Sequence, residues 1–330
     1  MKQPETKPQD HRVAHLAAHR DRVLVSVNPK AGAKCRRQNV EHLESLLREN
    51  GFRPQIISDL DELTETANAA HADGDLRAVV AAGGDGTAAT IANLTQPGTP
   101  IMLMPQGTEN LLAKYLGINS SPEFILETLR IGATLNMDAG LANDRIFLLM
   151  LGVGFDADVV KRLHGSRRGH IHQLSYTKPI LDSIRKYQYP EIRITYESAE
   201  IDGERSQQVT AKWAFVVNLP RYARGLRIVP HAVGTDGLLD LCTFREGSLW
   251  HGLLYLSRIL MGQHQSWGSC HTAQTARLRI EADSEVPFQM DGDPGGHLPV
   301  DVEVLPRRVT LVTPELWLEK HGRELESNAS

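Results

Sequence analysis

The amino-acid sequence predicts an α/β domain with a parallel sheet, followed by an antiparallel β-sandwich domain. Between Arg22 and Asn136, short apolar runs alternate with helical segments, which is typical of a parallel sheet covered on both faces. Beyond Asp138, strands with apolar/polar alternation are separated by turns, as in antiparallel sheets. A chain of 330 residues is also long enough for two hydrophobic cores.

We expect the chain to divide into four segments. Residues 1–20 form a polar arm, residues 21–137 form the α/β domain, and residues 138–305 form the β-sandwich domain. Residues 306–330 form a C-terminal segment that returns to the first domain.

In the first domain, mainly apolar runs of strand length alternate with amphipathic stretches. The predicted strands are Val23–Val27, Gln55–Ile57, Ala78–Ala82 and Ile101–Met104. The predicted helices are Asn39–Glu49, Glu62–His71, Thr87–Leu94 and Leu111–Leu116. In the first of these helices, Leu43, Leu46 and Leu47 share the buried face.

In the second domain, the alternation predicts strands separated by turns, with two helical stretches between them. The predicted strands are Arg145–Val153, Glu191–Tyr196, Val209–Asn218, Leu238–Thr243, Ala276–Ala282 and Val300–Leu305. The helical stretches lie around His170–Tyr187 and Ser248–Met261.

Composition excludes several classes of protein. The net charge of -4 and the pI of about 6.4 argue against a general nucleic-acid binder. The three cysteines have no metal-ligand spacing, which indicates a reducing compartment and no disulfide framework. No apolar stretch approaches the roughly 18 residues that span a bilayer. We therefore expect a cytoplasmic protein whose membrane contact, if any, is peripheral.

The most informative motif is Gly83-Gly84-Asp85-Gly86-Thr87, which follows an apolar run and precedes a helical segment. Glycines let an anion approach main-chain N–H groups, and the helix adds the positive end of its dipole. A carboxylate inside such a turn indicates a cation or a transferable proton, which favours phosphoryl transfer from a nucleotide. Taken alone, the cluster is equally typical of an ordinary strand-to-helix turn.

Two more polar loops follow predicted strands. They are Asn28–Gly32 after the first strand and Pro105–Asn110 after the strand that ends at Met104. Ligands of parallel sheets lie beyond the carboxyl ends of the strands, so three such loops favour a nucleotide site. The first domain is therefore predicted to be a Rossmann-like nucleotide-binding domain.

The order and spacing of seven motifs resemble the diacylglycerol kinase catalytic family, in particular the bacterial lipid kinases related to sphingosine and ceramide kinases. The resemblance covers residues 22–313. Its landmarks are Asn28-Pro29 with Gly32, Gly83–Thr87, Gly107-Thr108 with Asn110, Gly152–Ala157, Asp236–Asp240, Asp291–Asp293 and Glu303–Pro306. This family belongs to the same superfamily as NAD kinase.

The resemblance implies an ATP-dependent lipid kinase that transfers the γ-phosphoryl group to a hydroxyl of a diacylglycerol-like or sphingoid lipid. It implies ATP and Mg²⁺ as cofactors, with the nucleotide held between the domains. It also implies that Asp85 would act on the phosphates through Mg²⁺, and that Asp236 with the backbones of Val233 and Leu238 would hold a second, structural Mg²⁺. The implied nucleotide-binding residues are Asn28, Ser58, Gly83, Gly84, Asp85, Gly86, Thr87, Gly107, Thr108 and Asn110.

The implied catalytic residues are Asp293, Asp291 and Asp85. The family's base is normally a glutamate, and Asp293 in its place is one methylene shorter. Because a displacement of about 1 Å can cost about a hundredfold in rate, either the backbone compensates, Asp291 shares the role, or activity is reduced.

Three other positions depart from the family pattern. Glu109 stands where a small residue is usual, and Ala89 and Thr90 replace polar residues after the glycine motif. These departures put the nucleotide pose in question. Ala89 and Glu109, with Asp293, keep open a non-catalytic lipid- or nucleotide-binding descendant of the family. NAD kinase is the other alternative, because it shares the Gly-Gly-Asp-Gly-Thr loop and the two-domain plan.

Two segments bear on a lipid partner. Residues 161–189 hold seven basic residues and one acidic residue, which suits anionic headgroups and a solvated helix face equally well. Ser248–Met261 is apolar and aromatic, which favours a core helix over a lipid-facing one. We expect the lipid substrate to be met at a membrane surface, and a homodimer is left open.

Overall fold

The structure, a computed structural model, describes residues 13–27, 34–165, 187–199, 206–221, 227–248, 251 and 269–327. Strands in the first half are β1 (Val13–His15), β2 (Arg22–Val27), β3 (Arg53–Ile57), β4 (Leu76–Gly83), β5 (Pro100–Pro105), β6 (Ala133–Ala142), β7 (Arg145–Phe147) and β8 (Met150–Val153). Strands in the second half are β9 (Ile192–Glu197), β10 (Ser206–Ala211), β11 (Trp213–Val217), β12 (Leu239–Phe244), β13 (Cys270–Thr275), β14 (Arg277–Glu281), β15 (Pro287–Met290), β16 (Asp293–His297) and β17 (Val300–Val312). The helices are α1 (Lys34–Glu49), α2 (Leu60–Asp73), α3 (Asp85–Leu94), α4 (Leu111–Tyr115), α5 (Pro122–Ile131), α6 (Phe155–Gly165) and α7 (Glu315–Ser327).

The first domain is built on four neighbouring parallel strands in the order β5-β4-β2-β3. All residues of β4 from Leu76 to Ala82 are buried, because helices cover both faces of the sheet. Gly83 at the end of β4 lies opposite Pro105 at the end of β5. The predicted α/β domain with a parallel sheet is confirmed, and the loops that follow β4 and β5 leave the same edge.

The second domain is antiparallel. One sheet has the strand order β13-β12-β11-β8-β15-β16. It packs against β9, β14 and the first half of β17 through a core of its own. The fold class predicted for this domain, an antiparallel β-sandwich, is also confirmed.

A single long strand connects the two domains. The first part of β17 pairs with β14 and β6, and its last residues pair with β6 and, in parallel, with β5. The register shifts between Leu305 and Val309. The parallel sheet of the first domain is therefore continuous with one sheet of the second, which the sequence pattern did not predict.

Two predicted strands are each broken in two. Arg145–Val153 forms β7 and β8, separated at Leu148 and Leu149, because the Asp291 carboxylate accepts the N–H groups of both residues. Val209–Asn218 includes the end of β10 and all of β11, which belong to different sheets. In both cases the apolar run continues across a change of partner, and a run of apolar residues does not reveal that change.

The predicted helical stretches around His170–Tyr187 and Ser248–Met261 lie almost entirely outside the described residues. Helices α5, α6 and α7 were not predicted. Among the helices that the structure describes, none is both long and apolar enough to cross a membrane.

Arg77 connects three parts of the first domain. Its buried guanidinium donates to the carbonyls of Leu129 and Arg130 at the end of α5, at 2.7 and 2.9 Å. It also donates to the carbonyls of Ala17 and Leu16, at 3.1 and 3.3 Å. Burial lowers the pKa of Arg77. The bonds to Leu129 and Arg130 satisfy carbonyls that a helix end leaves without an intrahelical partner.

Arg77→Met should therefore lower the free energy of unfolding by about 2–4 kcal/mol, because four carbonyls, of which that of Leu129 is in a buried bond, lose a charged donor. Arg48→Met is the matched control, since Arg48 pairs with Glu44 on an exposed helix face and should contribute less than about 0.5 kcal/mol. Urea denaturation of both variants measures the difference. Equal midpoints would show that Arg77 does not stabilise the domain.

Candidate active site

The glycine loop, Gly83–Thr87, connects strand β4 to the N-terminus of α3. A Cβ on Gly83 would lie 2.1 Å from Thr87 Oγ1, so glycine is required there. Gly84 is the N-cap and provides no side-chain hydrogen bond to the helix. Among the described residues, a Cβ on Gly86 would contact only Asp293 Oδ2, at 3.5 Å. The absence of a side chain at Gly86 therefore leaves the backbone at the N-terminus of α3 accessible beside Asp293, where helix N–H groups attract anions.

The glycine loop packs directly on the loop that follows β5. A Cβ on Gly107 would lie 2.7 Å from the Cα of Gly84, and the N–H of Gln106 donates to the Gly83 carbonyl at 2.8 Å. Asn110, in the left-handed conformation, binds both the N–H and the carbonyl of Gly107 at 2.9 Å. Gly84 and Gly107, both predicted to bind nucleotide, thus pack the two loops together, and Asn110, also predicted to bind nucleotide, fixes the shape of the second loop.

Asp85 connects the same two loops through its side chain. Its carboxylate oxygens accept the N–H groups of Leu111 and Leu112, at 2.9 and 3.0 Å, at the start of α4. Burial raises the pKa of Asp85, and those two N–H groups oppose the rise. The structure gives Asp85 a role in loop shape, and its predicted role toward Mg²⁺ and the phosphates stays a prediction.

Asp291 lies in the turn between β15 and β16. Asp291 and Gly292 both have positive φ, 51° and 87°, as in a two-residue type I′ hairpin turn. The Asp291 carboxylate accepts the N–H groups of Leu148, Leu149 and Met150, at 2.7, 2.8 and 3.0 Å. Burial raises the pKa of Asp291 to about 6 despite these bonds, and the charge of Asp85 adds to the rise. The turn is thereby fixed to the break between β7 and β8.

Asp293 is the first residue of β16, and its side chain is 41% exposed. Its carboxylate faces Gly86 of the first domain and also lies 3.9 Å from Arg145 Nη2. The structure therefore brings the predicted base and the glycine loop to opposite sides of one cleft.

This cleft has a volume of about 290 Å³ and lies between α3 and the strands β7, β15 and β16. Ala89 and Thr90, which depart from the family pattern, line it. Glu109, the third departure, has its carboxylate 4.0 Å from Lys114 Nζ. The other residues that line the cleft are Gly86, Asn93, Leu94, Arg145, Ile146, Met290, Asp291 and Asp293.

The remaining residues predicted to bind the nucleotide are less well placed to contact a ligand in this cleft. Ser58 is exposed just after the edge strand β3, and Thr108 is exposed in the loop after β5. Neither is among the described residues that line the cleft. Thr87 packs under Gly83. Asn28 lies outside the described residues.

The predicted structural Mg²⁺ site lies in a turn of the second domain. Asp236 Oδ1 accepts the N–H of Leu238 at 3.0 Å, and Val233 lies three residues earlier in the same segment. Burial, together with the charge of Asp236, raises the pKa of Asp240 to about 6. The described residues contain no group of three or more His, Cys, Asp or Glu side chains that could hold a metal. The proposed ligand set has only one side chain, and it stays a prediction.

Sequence reasoning missed two residues that shape this region. Asn93 of α3 binds the backbone of Ile146 in β7, accepting its N–H at 2.8 Å and donating to its carbonyl at 3.0 Å. Buried Asp138 accepts the N–H groups of Gly237 and Arg307, both at 2.7 Å. A polar residue inside an otherwise apolar segment was the available signal for both.

The structure combines a parallel-sheet domain that carries a glycine loop with an antiparallel domain whose Asp293 carboxylate faces that loop. The model of the diacylglycerol kinase catalytic domain matches residues 22–142. The model of the YegS C-terminal NAD kinase beta sandwich-like domain matches residues 150–313. The chain belongs to the diacylglycerol kinase-like family that these two domains describe.

Individual relatives are distant. The chain is 24% identical to the diacylglycerol kinase of Bacillus subtilis over 304 residues, which is 89% of this chain and 97% of that protein. It is 26% identical over 242 residues to an uncharacterized protein of Synechocystis. That match covers 72% of this chain but only 54% of the Synechocystis protein, about half of that protein's length. The crystal structure of a diacylglycerol kinase from Bacillus anthracis has a TM-score of 0.65 at 19% identity, and the match covers 90% of this chain and 98% of that one. This last likeness supports the fold.

Two glycine substitutions should separate packing from ligand binding. Gly107→Ala should lower the free energy of unfolding by about 1–3 kcal/mol, because the new Cβ overlaps the backbone of Gly84. Gly86→Ala should leave the melting temperature unchanged or higher, because alanine is the better helix former. It should nevertheless weaken anion binding at the helix N-terminus. Thermal melts and calorimetric titration with ATP·Mg²⁺ test both, and unchanged ATP affinity in Gly86→Ala would remove this loop from the site.

Asp291 should make stability depend on pH. Its folded pKa of about 6 lies above the unfolded value, so its stabilising contribution is complete below about pH 4 and is lost as pH rises through 6. The melting temperature of the wild type should therefore fall relative to that of Asp291→Asn between pH 4.5 and 7.5. Asp283→Asn, at an exposed ion pair with Arg193, should show no such decline. A difference that stays constant with pH would contradict the assignment.

Proposed function

We propose that the protein is an ATP-dependent lipid kinase that transfers the γ-phosphoryl group of ATP to a lipid hydroxyl. The observation that carries this proposal is the position of the Asp293 carboxylate, 3.5 Å from the Cβ position of Gly86. A carboxylate that faces the N-terminus of α3 is suited to accept a proton from a hydroxyl that attacks a phosphoryl group held at that terminus.

The first domain supplies the binding site for the phosphates. Backbone N–H groups at the start of α3 and the helix dipole attract anions, and glycine at position 86 leaves room for close approach. Mg²⁺ bound with the nucleotide would neutralise charge on the phosphate oxygens. Asp85 is the nearest candidate for an indirect contact with that ion. Membership of the diacylglycerol kinase-like family supports ATP as the donor.

The second domain supplies the acceptor side. In the transfer, a bond forms between the acceptor oxygen and the γ-phosphorus, the bond from that phosphorus to ADP breaks, and the hydroxyl proton passes to Asp293. The cleft of about 290 Å³ suits a polar headgroup rather than acyl chains. We therefore propose that the lipid stays in a membrane surface and that the protein contacts it peripherally. The basic segment 161–189 supports this proposal through its sequence.

Turnover of radiolabelled ATP with a panel of lipids, and with NAD in parallel, tests the proposal. Asp293→Asn should lower kcat by about 10²–10⁴-fold while ATP affinity stays unchanged, because the lost interaction belongs to the transition state. Asp301→Asn is the matched control, since Asp301 forms an exposed ion pair with Arg279. We expect its kcat to equal that of the wild type.

Other outcomes of these assays would identify one of the alternative functions. Phosphorylation of NAD but of no lipid would identify an NAD kinase. Nucleotide binding without turnover of any acceptor would identify a non-catalytic binding protein. Full activity of Asp293→Asn would place the base elsewhere, with Asp291 next to be tested.

A further inference from the structure

Arg145 lies in the acceptor half of the cleft and has no role in the proposed chemistry above. It begins β7, and its side chain is 47% exposed. Its Nη1 donates weakly to the Pro294 carbonyl at 3.3 Å, and its Nη2 lies 3.9 Å from Asp293 Oδ2. A guanidinium carries five N–H donors, so these contacts leave donors that can reach the cleft.

The position of Arg145 along the cleft separates it from the phosphate end. Gly86 and Asn93 are seven residues apart on α3, about 10 Å along the helix axis. Arg145 precedes Ile146, whose backbone is bound to Asn93, so the Arg145 backbone lies at the far end. Asp293 Oδ2 lies 3.5 Å from the Cβ position of Gly86 and 3.9 Å from Arg145 Nη2, so it contacts both ends. Because the Arg145 backbone enters from the end opposite Gly86, we place its guanidinium on the acceptor side of the predicted base.

The charges of the cleft point to the same role. Among the described residues that line it, Arg145 is the sole basic residue, and Asp291 and Asp293 are acidic. An anionic group on the acceptor would be repelled by the two carboxylates unless a cation met it. The planar guanidinium matches phosphate and carboxylate oxygens in bidentate geometry.

We propose that Arg145 binds an anionic group of the acceptor, so that the preferred substrate is a hydroxyl-bearing lipid with a phosphate or carboxylate in its headgroup. This inference rests on the proposed lipid kinase function. It names Arg145 as the residue that distinguishes an anionic acceptor from a neutral one such as diacylglycerol.

Acceptor kinetics test the proposal with phosphatidylglycerol and diacylglycerol, each in micelles of the same uncharged detergent. The wild type should prefer phosphatidylglycerol. Arg145→Met should lower kcat/KM for phosphatidylglycerol by about 10- to 100-fold and leave diacylglycerol within about twofold, as expected for a lost charge-assisted hydrogen bond. Arg145→Lys should recover part of the loss. Arg277→Met, which removes an arginine from an exposed sheet face, should match the wild type.

Two kinetic outcomes would overturn the inference. One is a wild type that prefers diacylglycerol. The other is an equal loss for both lipids in Arg145→Met, which would mean that Arg145 acts on the transferred phosphoryl group or on Asp293.

A binding experiment separates this inference from the proposed function. Dihexanoylphosphatidic acid is anionic and has no alcohol to phosphorylate. Calorimetry should show that Arg145→Met binds it at least about tenfold more weakly than the wild type does. Titration with glycerol 3-phosphate, which has the phosphate without acyl chains, shows whether the headgroup alone is sufficient for binding. Arg145-dependent binding in a protein that phosphorylates no lipid would leave the anion site standing while the kinase proposal fails. Equal binding by the wild type and Arg145→Met would overturn the anion site even in an active kinase.

Discussion

The Asp291 carboxylate accepts three consecutive backbone N–H groups, and the shape of the cleft depends on this contact. The bonds to Leu148, Leu149 and Met150 fix the β15–β16 turn against the break between β7 and β8. Asp293, two residues further along, is thereby held toward the first domain. Asp291 therefore acts as a structural anchor of this turn, and the proposed base is Asp293.

The opposite wall of the cleft is helix α3, and the same stretch of backbone holds it in position. Asn93 binds both backbone groups of Ile146, so α3 is held at a fixed distance from β7. The backbone of residues 146–150 therefore binds both the helix that would bind phosphate and the turn that supplies the carboxylate. Both walls of the cleft are bound to main-chain atoms in the absence of any ligand, and the proposed function would use such preorganisation for electrostatic stabilisation.

The sequence predicted the parallel sheet well because its signal is local. Residues 78–82 are apolar in an unbroken run, and in the structure they are buried on both faces of the sheet. The continuity of β17 across both domains could not be predicted, since strand partners are set by tertiary packing. The same limit applies to Cys242 and Cys270, whose sulfur atoms lie 3.7 Å apart although the two residues are 28 positions apart in the sequence. The motifs located the cleft, but they did not show that Gly84, Gly107 and Asp85 join two loops, because that role depends on contacts between loops.

The central claim is that Gly86 and Asp293 form opposite walls of a site for phosphoryl transfer. A crystal structure with a non-hydrolysable ATP analogue and Mg²⁺ tests it most directly. The claim predicts the terminal phosphate at the N-terminus of α3, next to Gly86, with the Asp293 carboxylate on its acceptor side. A nucleotide bound elsewhere, or a terminal phosphate directed away from Asp293, would contradict it.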